Sequence, residues 1–204
     1  MIDFFLEPYK DAGAFYMTIE IIVFVFGIAS VYFAKKQNIW VYPSGLVATI
    51  LSTYLFLDVA YYGDALVNGY FSIMSIYGWY YWGKTDPNND KAPISRTNTK
   101  EKIIGILIFF VTFFVVFGIY KGVGKVIETD NFIDIALSGL FFTAMWYMAH
   151  KKIENWTLWI IGDLIAIPLY AYRGLGILAL QYVIFTILAV LAYLEWRKTL
   201  NKSL

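Results

Sequence analysis

Seven long apolar stretches restrict this chain to one kind of fold. The hydrocarbon core of a bilayer is about 30 Å thick, so a helix crossing it needs roughly 20 apolar residues and tolerates about 17. Charged residues, glycine or proline separate the stretches, which cover residues 15–34, 39–57, 62–82, 103–120, 132–149, 156–172 and 175–196. They predict an all-α integral membrane protein with seven transmembrane helices, forming a single membrane domain over residues 1–204.

The composition excludes a soluble domain. Hydrophobic residues make up 60% of the chain, charged residues only 15%, and the mean hydropathy is +0.62. A soluble domain carries about 25% charged residues. The net charge of +1 gives no reason to expect a nucleic acid partner. The chain has no cysteine and one histidine, His150, so disulfides, thiolate or histidine metal sites and cofactors are not predicted.

Lysine and arginine are distributed unequally between the two sets of span ends. An excess of these residues marks the cytoplasmic ends of a membrane protein. One set carries four of the 16: Lys10, Lys121, Lys125 and Arg173. The other set carries the remaining twelve: Lys35, Lys36, Lys84, Lys91, Arg96, Lys100, Lys102, Lys151, Lys152, Arg197, Lys198 and Lys202. This asymmetry predicts an outside N-terminus and a cytoplasmic C-terminus, which an odd number of spans requires.

Two segments of the chain occur twice. YFAKKQNIW (32–40) reappears as YMAHKKIENW (147–156), each time between one span and the next. GWYYWGK (78–84) ends the third span, and AYLEWRK (192–198) ends the seventh. Internal similarity of this kind indicates a duplicated structural unit.

The duplication predicts two three-helix repeats, residues 15–84 and 131–198, joined by a linker helix at 101–121. A three-helix unit begins and ends on opposite faces of the membrane. The linker helix returns the chain to its first face, so the two repeats run parallel in a 3+1+3 arrangement. Parallel repeats are one of the standard transporter constructions, and substrate binds near the midplane between them.

The sixth span places a carboxylate near the middle of the bilayer. Asp163 lies four residues after Trp159 and seven after Trp156, so the three share one helical face. Two indole rings and an acid suit a flat organic cation, through cation–π and Coulomb attraction. In the alternative, the tryptophans are interfacial belt residues and Asp163 pairs with a neighbouring helix. An acid inside a membrane span is usually functional, which favours the site.

Neutral polar groups recur at matching depths in the third and seventh spans. Asn68 and Ser72 lie in one, and Gln181 and Tyr182 in the other. If Asn68 and Gln181 are equivalent positions in the two repeats, the four side chains line a shared polar path. The alternative is that they join helices, at about 0.6–2 kcal/mol per hydrogen bond.

Acids and tryptophans gather at opposite ends of the spans. Glu20, Asp58, Asp64 and Asp134 lie near outer span ends, where they would concentrate cations at an entrance. A chance distribution of these acids is the alternative. Six of the seven tryptophans lie near cytoplasmic span ends: Trp40, Trp79, Trp82, Trp156, Trp159 and Trp196. For most of them, a place in the interfacial belt is expected.

Two other classes of function compete with transport. An intramembrane enzyme acting on lipid would use polar residues inside the membrane, but no adjacent nucleophile and base appear, and His150 lies in a basic loop. A structural or signalling seven-helix protein does not account for parallel repeats with matching polar groups. No P-loop, HExxH or GxSxG motif occurs, so ATP-driven transport and hydrolysis are not indicated.

Two segments resemble the Pnu family of bacterial vitamin transporters. They are LxxYLFxDxxYYGDALxNxYFxIxSIYGWYYW (51–82) and ENWTLWIIGD (154–163). The similarity extends over nearly the whole chain and is weakest at 87–121. It implies a seven-helix 3+1+3 fold like that of SWEET sugar transporters, in a bacterial inner membrane, with the lipid bilayer as a partner. A homo-oligomer is compatible with this fold.

The resemblance also implies a transport mode and a binding segment. Family members work by facilitated diffusion, and a separate kinase phosphorylates and traps the vitamin. Their W-x-x-W segment helps to bind substrate and corresponds to Trp156 and Trp159, with Asn155 adjacent. Family substrates are nicotinamide riboside, thiamine and riboflavin. The first two are flat monocations that suit Asp163, whereas riboflavin is neutral, and the residues do not separate nicotinamide riboside from thiamine.

Overall fold

The computed structural model describes residues 13–58, 62–84, 93–122, 124, 127–174 and 176–202. These residues form seven α-helices: α1 (Ala14–Lys35), α2 (Val41–Asp58), α3 (Tyr62–Gly83), α4 (Thr99–Gly122), α5 (Thr129–Ala149), α6 (Glu154–Tyr172) and α7 (Gly176–Lys202). Most of the predicted connection KTDPNNDKAP (84–93) lies outside the described residues. The prediction of seven helices is confirmed.

The helices are long enough to cross a bilayer. They contain 18 to 27 residues, which at 1.5 Å per residue correspond to roughly 27–40 Å. By length and apolar composition, α1, α2, α4, α5 and α7 qualify as membrane spans. The exceptions, α3 and α6, carry more polar and aromatic residues, and this lowers their hydropathy.

Six of the helices form a closed ring. In the first repeat α1 packs against α2 and α2 against α3, and α5, α6 and α7 repeat this order. The ring closes where α3 packs against α5 and α7 against α1. The linker helix α4 packs against α5 at Gly105 and Gly139, outside the ring. The 3+1+3 arrangement is therefore confirmed, and its centre lies between the two repeats.

The two repeats bend alike where their first helix meets their second. Gln37 and Lys151 both adopt a left-handed backbone with φ of 52°. The N–H of Gln37 donates to the carbonyl of Ala34, and the N–H of Lys151 donates in the same way to Met148. Non-glycine residues rarely adopt positive φ, so a shared outlier at this bend supports a common origin for the two repeats.

These hydrogen bonds correct the register of the repeats by one residue. They pair Tyr32 with Trp146, not with Tyr147 as the sequence alignment had it. The alignment of 78–84 with 192–198 agrees with the new register. Continued along the helices, this register pairs Asn68 with Tyr182, so the predicted equivalence of Asn68 and Gln181 is wrong.

Each repeat caps the other at one end of the bundle. The indole Nε1 of Trp82 donates to the carbonyl of Ala149 at 3.1 Å, and that of Trp196 donates to Ala34 at 3.1 Å. We call this the basic end, because it carries the described members of the lysine-rich and arginine-rich set. Lys36, for example, contacts Glu195 at 3.1 Å there.

The tryptophans of the basic end do not all belong to an interfacial belt. Trp40 and Trp79 are 61% and 44% exposed, as a belt predicts. Trp82, Trp156 and Trp196 are at most 4% exposed, so these three do not lie in the belt that was expected for most of the six. They lie where the repeats meet, and composition alone does not distinguish a tryptophan between helices from one facing lipid.

Candidate functional site

One face of α6 supplies the centre of the candidate site. Trp156, Trp159, Asp163, Ala166 and Tyr170 recur every three or four residues and therefore share a side of the helix. Asp163 is 2% exposed and Trp156 is 1% exposed. The predicted face is thus turned toward the other helices and not toward lipid.

Trp159 lies where both repeats meet. Its ring stacks on Phe141 of α5 with centroids 5.2 Å apart and an interplanar angle of 24°. Phe71 of α3 presents an edge to the same indole at 5.9 Å. Gly162 allows α5 to approach this closely, because a Cβ there would overlap the ring of Phe141.

Two tyrosines extend this aromatic contact away from the basic end. Tyr182 of α7 lies parallel to Phe141 at 6.2 Å and 11°, and parallel to Tyr170 of α6 at 5.2 Å and 7°. The hydroxyls of Tyr170 and Tyr182 share a hydrogen bond. The four residues Tyr170, Tyr182, Phe141 and Trp159 thus form a ladder of nearly parallel rings, which we call the aromatic ladder.

Asp163 lies beside the aromatic ladder without a charged partner. Its carboxylate acts electrostatically on the hydroxyl of Tyr182. Among the described residues, no basic side chain pairs with Asp163 and no donor hydrogen-bonds to it. A buried, unpaired carboxylate is costly, so this position favours a cation from outside the chain. The alternative in which Asp163 pairs with a neighbouring helix finds no support there.

The buried polar groups of Asn155 and Trp156 lie about two turns of α6 from Asp163, nearer the basic end. Asn155 is 0% exposed and donates through Nδ2 to the carbonyl of Lys152 at 2.5 Å. Its Oδ1 and the Nε1 of Trp156 have no hydrogen-bond partner among the described residues. These atoms offer an acceptor and a donor to a polar ligand.

The other predicted polar residues lie at contacts between or within helices. Asn68 donates to the carbonyl of Asp64 at 2.9 Å, one turn back in α3. Ser72 contacts the hydroxyl of Thr49 on α2 at 2.8 Å. The amide of Gln181 lies against Gly27 of α1. Of the four residues predicted to line a polar path, the structure brings only Tyr182 to the aromatic ladder.

The comparison with known families decides the classification. The family model described as "Nicotinamide mononucleotide transporter" matches residues 17–198, nearly the whole chain. This chain belongs to that family. It is therefore a multi-pass membrane transporter, as the resemblance to the Pnu transporters implied.

Relatives of this family member support the same conclusion. The nicotinamide riboside transporter PnuC of Escherichia coli (strain K12) is 25% identical, over 87% of this chain and 84% of that protein. The riboflavin/roseoflavin transporter RibM of Streptomyces davaonensis is 22% identical, over 84% of this chain and 81% of that protein. A crystal structure of the vitamin B3 transporter PnuC superimposes with a TM-score of 0.74 at 20% identity. The superposition covers 97% of this chain and 86% of the PnuC chain in that crystal structure, which confirms the fold.

Three residues of the site were absent from the sequence prediction. Phe71, Phe141 and Tyr170 contact Trp159 or Tyr182. Tyr170 could have been found, because it lies seven residues after Asp163 on the same face of α6. Phe71 and Phe141 give no such signal, since lipid-facing phenylalanines look the same in sequence.

Aromatic rings close the basic end of this transporter. Tyr42 meets Trp82 edge-on at 5.2 Å, and Trp156 meets Trp196 edge-on at 5.4 Å. Trp82 and Trp196 lie 6.1 Å apart. We call Tyr42, Trp82, Trp156 and Trp196 the closing cluster. Trp156 thus belongs to the closing cluster, and Trp159 to the aromatic ladder.

Proposed function

We propose that this transporter carries nicotinamide riboside, a vitamin precursor, and binds it between the aromatic ladder and Asp163. The observation that carries the proposal is the buried carboxylate without a partner, placed beside the aromatic ladder. Nicotinamide riboside contains a flat pyridinium cation. Its ring would lie against Trp159 and Phe141 while Asp163 balances its charge.

The sugar of this substrate suits the neighbouring orphan atoms. Ribose hydroxyls both donate and accept hydrogen bonds, and they would satisfy Oδ1 of Asn155 and Nε1 of Trp156. A buried polar atom left unsatisfied costs about 1–3 kcal/mol. Binding therefore gains from filling this position with a polar group, and a purely apolar ligand would leave that cost in place.

Charge separates the candidate vitamins. Thiamine is also a flat monocation and remains the second candidate, because the same carboxylate and rings suit it. Riboflavin is neutral and would leave Asp163 unpaired, although RibM, at 22% identity, is named for riboflavin and roseoflavin. We therefore place riboflavin third.

The proposed transport mode is facilitated diffusion, with trapping by a separate kinase on the cytoplasmic side. We place the protein in a bacterial inner membrane with its basic end in the cytoplasm, as the lysine and arginine asymmetry supports.

An enzyme acting on lipid is less well supported. The reason is that the single histidine, His150, already takes part in the contact between α3 and α5. It bonds to the hydroxyl of Tyr77 at 2.9 Å and to the carbonyl of Trp146 at 2.8 Å.

Uptake into proteoliposomes tests the proposed function. With no ATP and no ion gradient, labelled nicotinamide riboside should enter until its concentrations inside and outside are equal. Enclosing a kinase and ATP should then raise accumulation beyond that limit. Thiamine and riboflavin, measured in parallel, rank the vitamins. Uptake of nicotinamide riboside no faster than into protein-free liposomes would contradict the assignment.

A further inference from the structure

A groove lies along the exposed face of α3 at the basic end. Ile76, Trp79 and Tyr80 have the spacing of one helical face, and all three are exposed. Trp82, on another face of α3, is buried against the second repeat. The groove therefore points away from the aromatic ladder, toward the membrane. Its volume is about 460 Å³, and its lining residues are Ile39, Ile76, Trp79, Tyr80, Gly83 and Lys84.

The chain itself covers the equivalent bend of the second repeat. In the corrected register, Ile153 corresponds to Ile39. The N–H of Ser95, in the segment before α4, donates to the carbonyl of Lys151 at 3.1 Å, and the N–H of Ile153 donates to the carbonyl of Ser95 at 3.0 Å. Ile94 is buried in the same hydrophobic cluster as Ile153. Within the described ranges, no segment pairs in this way with the bend of the first repeat.

The uncovered bend leaves two polar groups beside the groove. The N–H of Ile39 donates to no described residue, whereas its equivalent in the second repeat is bonded. Lys84 is exposed, its Nζ lies 4.4 Å from the ring centroid of Tyr80, and no acid among the described residues pairs with it. A cation and a hydrogen-bond donor thus border an apolar surface. This combination suits a ligand with an anionic head and an apolar tail.

The groove lies at the depth of lipid headgroups. Trp40, next to Ile39, is exposed, and exposed tryptophans mark the boundary between membrane and water. Lysines at this boundary attract anionic lipids. The volume of about 460 Å³ falls within the range of roughly 300–1,000 Å³ for small-molecule sites. It therefore suits a headgroup and the adjoining part of one acyl chain.

We propose that this groove binds one anionic phospholipid from the leaflet at the basic end. Its phosphate contacts Nζ of Lys84 and accepts a hydrogen bond from the N–H of Ile39, while an acyl chain lies along Ile76. The lipid supports the bend of the first repeat, as the segment before α4 supports that of the second. This inference requires a membrane protein but no particular transport substrate.

Native mass spectrometry of the purified transporter tests the site by counting bound lipids during a titration. Phosphatidylglycerol, which is anionic, should bind more tightly than zwitterionic phosphatidylethanolamine. Lys84→Gln should weaken binding of the first phosphatidylglycerol about fivefold, the effect expected of one basic residue at the membrane surface. Lys84→Arg keeps the cation and should retain the affinity. Phosphatidylglycerol should also raise the melting temperature of the wild type more than that of Lys84→Gln.

The second repeat provides the matched control. Lys198 is the equivalent of Lys84 and is exposed at the same end, but there the chain covers the bend. Lys198→Gln removes the same charge and should leave binding of the first lipid unchanged.

A second variant blocks the groove without changing its charge. A Cβ at Gly83 would lie 3.6 Å from Cδ1 of Ile39, an ordinary contact. Gly83→Leu should therefore fold, fill the groove and weaken phosphatidylglycerol binding at least fivefold. If it does not fold, as judged by size exclusion, Ile76→Ser replaces it, because that substitution removes an exposed apolar contact for the acyl chain.

The remaining outcomes would overturn the lipid site. Equal losses in Lys84→Gln and Lys198→Gln would show that the basic end attracts lipid without a defined site. Equal affinity for the two lipids would remove the role of the charge. A second copy of the chain in the groove would appear as an oligomer that excludes lipid and that Gly83→Leu dissociates. Failure of nicotinamide riboside uptake would contradict the proposed function and leave the lipid result standing.

Discussion

In the proposed site, Asp163 would supply the charge and Trp159 the ring that recognise a flat cation. Asp163→Asn keeps the size of the side chain and removes its charge, and Trp159→Ala removes the indole that stacks on Phe141. Each should weaken binding of nicotinamide riboside by at least about 1 kcal/mol, a factor of about five in Kd. Isothermal titration calorimetry on the purified transporter measures this change.

The control for these variants is an exposed tryptophan that lies outside the site. Trp79 is 44% exposed on α3, so Trp79→Ala should leave the affinity unchanged. Asp163→Asn should also weaken binding of a cationic vitamin more than binding of neutral riboflavin. Equal affinity in wild type, Asp163→Asn and Trp159→Ala would remove both residues from the site.

At this scale the sequence predicted the residues at the centre of the proposed site but not those that line it. Asp163 and Trp159 were predictable, because an acid is costly inside a span and α6 is periodic. The separation of Trp156 from Trp159 was not predictable, because it depends on which neighbouring ring each indole meets. Trp156 meets Trp196, and Trp159 meets Phe141.

The contact between α5 and α6 holds the site together through one glycine. A Cβ at Gly162 would overlap the ring of Phe141 and press on Leu140. Gly162→Ala should therefore displace Phe141 from Trp159. Overpacking of this kind costs about 1–3 kcal/mol, so we expect a lower melting temperature and weaker binding of nicotinamide riboside. Thermal unfolding in detergent and calorimetry measure the two effects.

Gly69 of α3 provides the matched substitution. A Cβ there meets nothing within 4 Å, and alanine favours a helix over glycine by about 1 kcal/mol. Gly69→Ala should therefore leave binding unchanged and keep or raise the melting temperature. If Gly162→Ala behaved like Gly69→Ala, the close approach of α5 to α6 would not position Phe141.

The bounds of the helices were predictable, whereas their alignment between repeats was not. Charged residues, glycine and proline mark helix ends, so the predicted spans and the observed helices agree closely. Repeat register depends on the bend at Gln37 and Lys151, where backbone hydrogen bonds set the alignment. Matching Tyr32 to Tyr147 by residue type shifts that register by one position and turns the wrong side chains toward the centre.

The whole molecule has two unlike ends, and its function depends on which one faces the cytoplasm. The closing cluster seals the basic end, while Asp134 and Arg173 remain partly accessible at the other. If the basic end is cytoplasmic, substrate bound beside Asp163 can leave toward the cytoplasm only after the closing cluster opens. Orientation therefore decides whether this conformation receives or releases the vitamin.

Single cysteines can report the orientation, because the chain contains none of its own. Lys121 and Lys198 are both exposed and lie at opposite ends of the bundle. Lys121→Cys should react with a membrane-impermeant maleimide in intact cells, and Lys198→Cys only after the cells are permeabilised. Asn38→Cys, exposed at the basic end of the first repeat, should behave like Lys198→Cys because the repeats are parallel. The reverse labelling pattern would place the basic end outside, against the lysine and arginine rule.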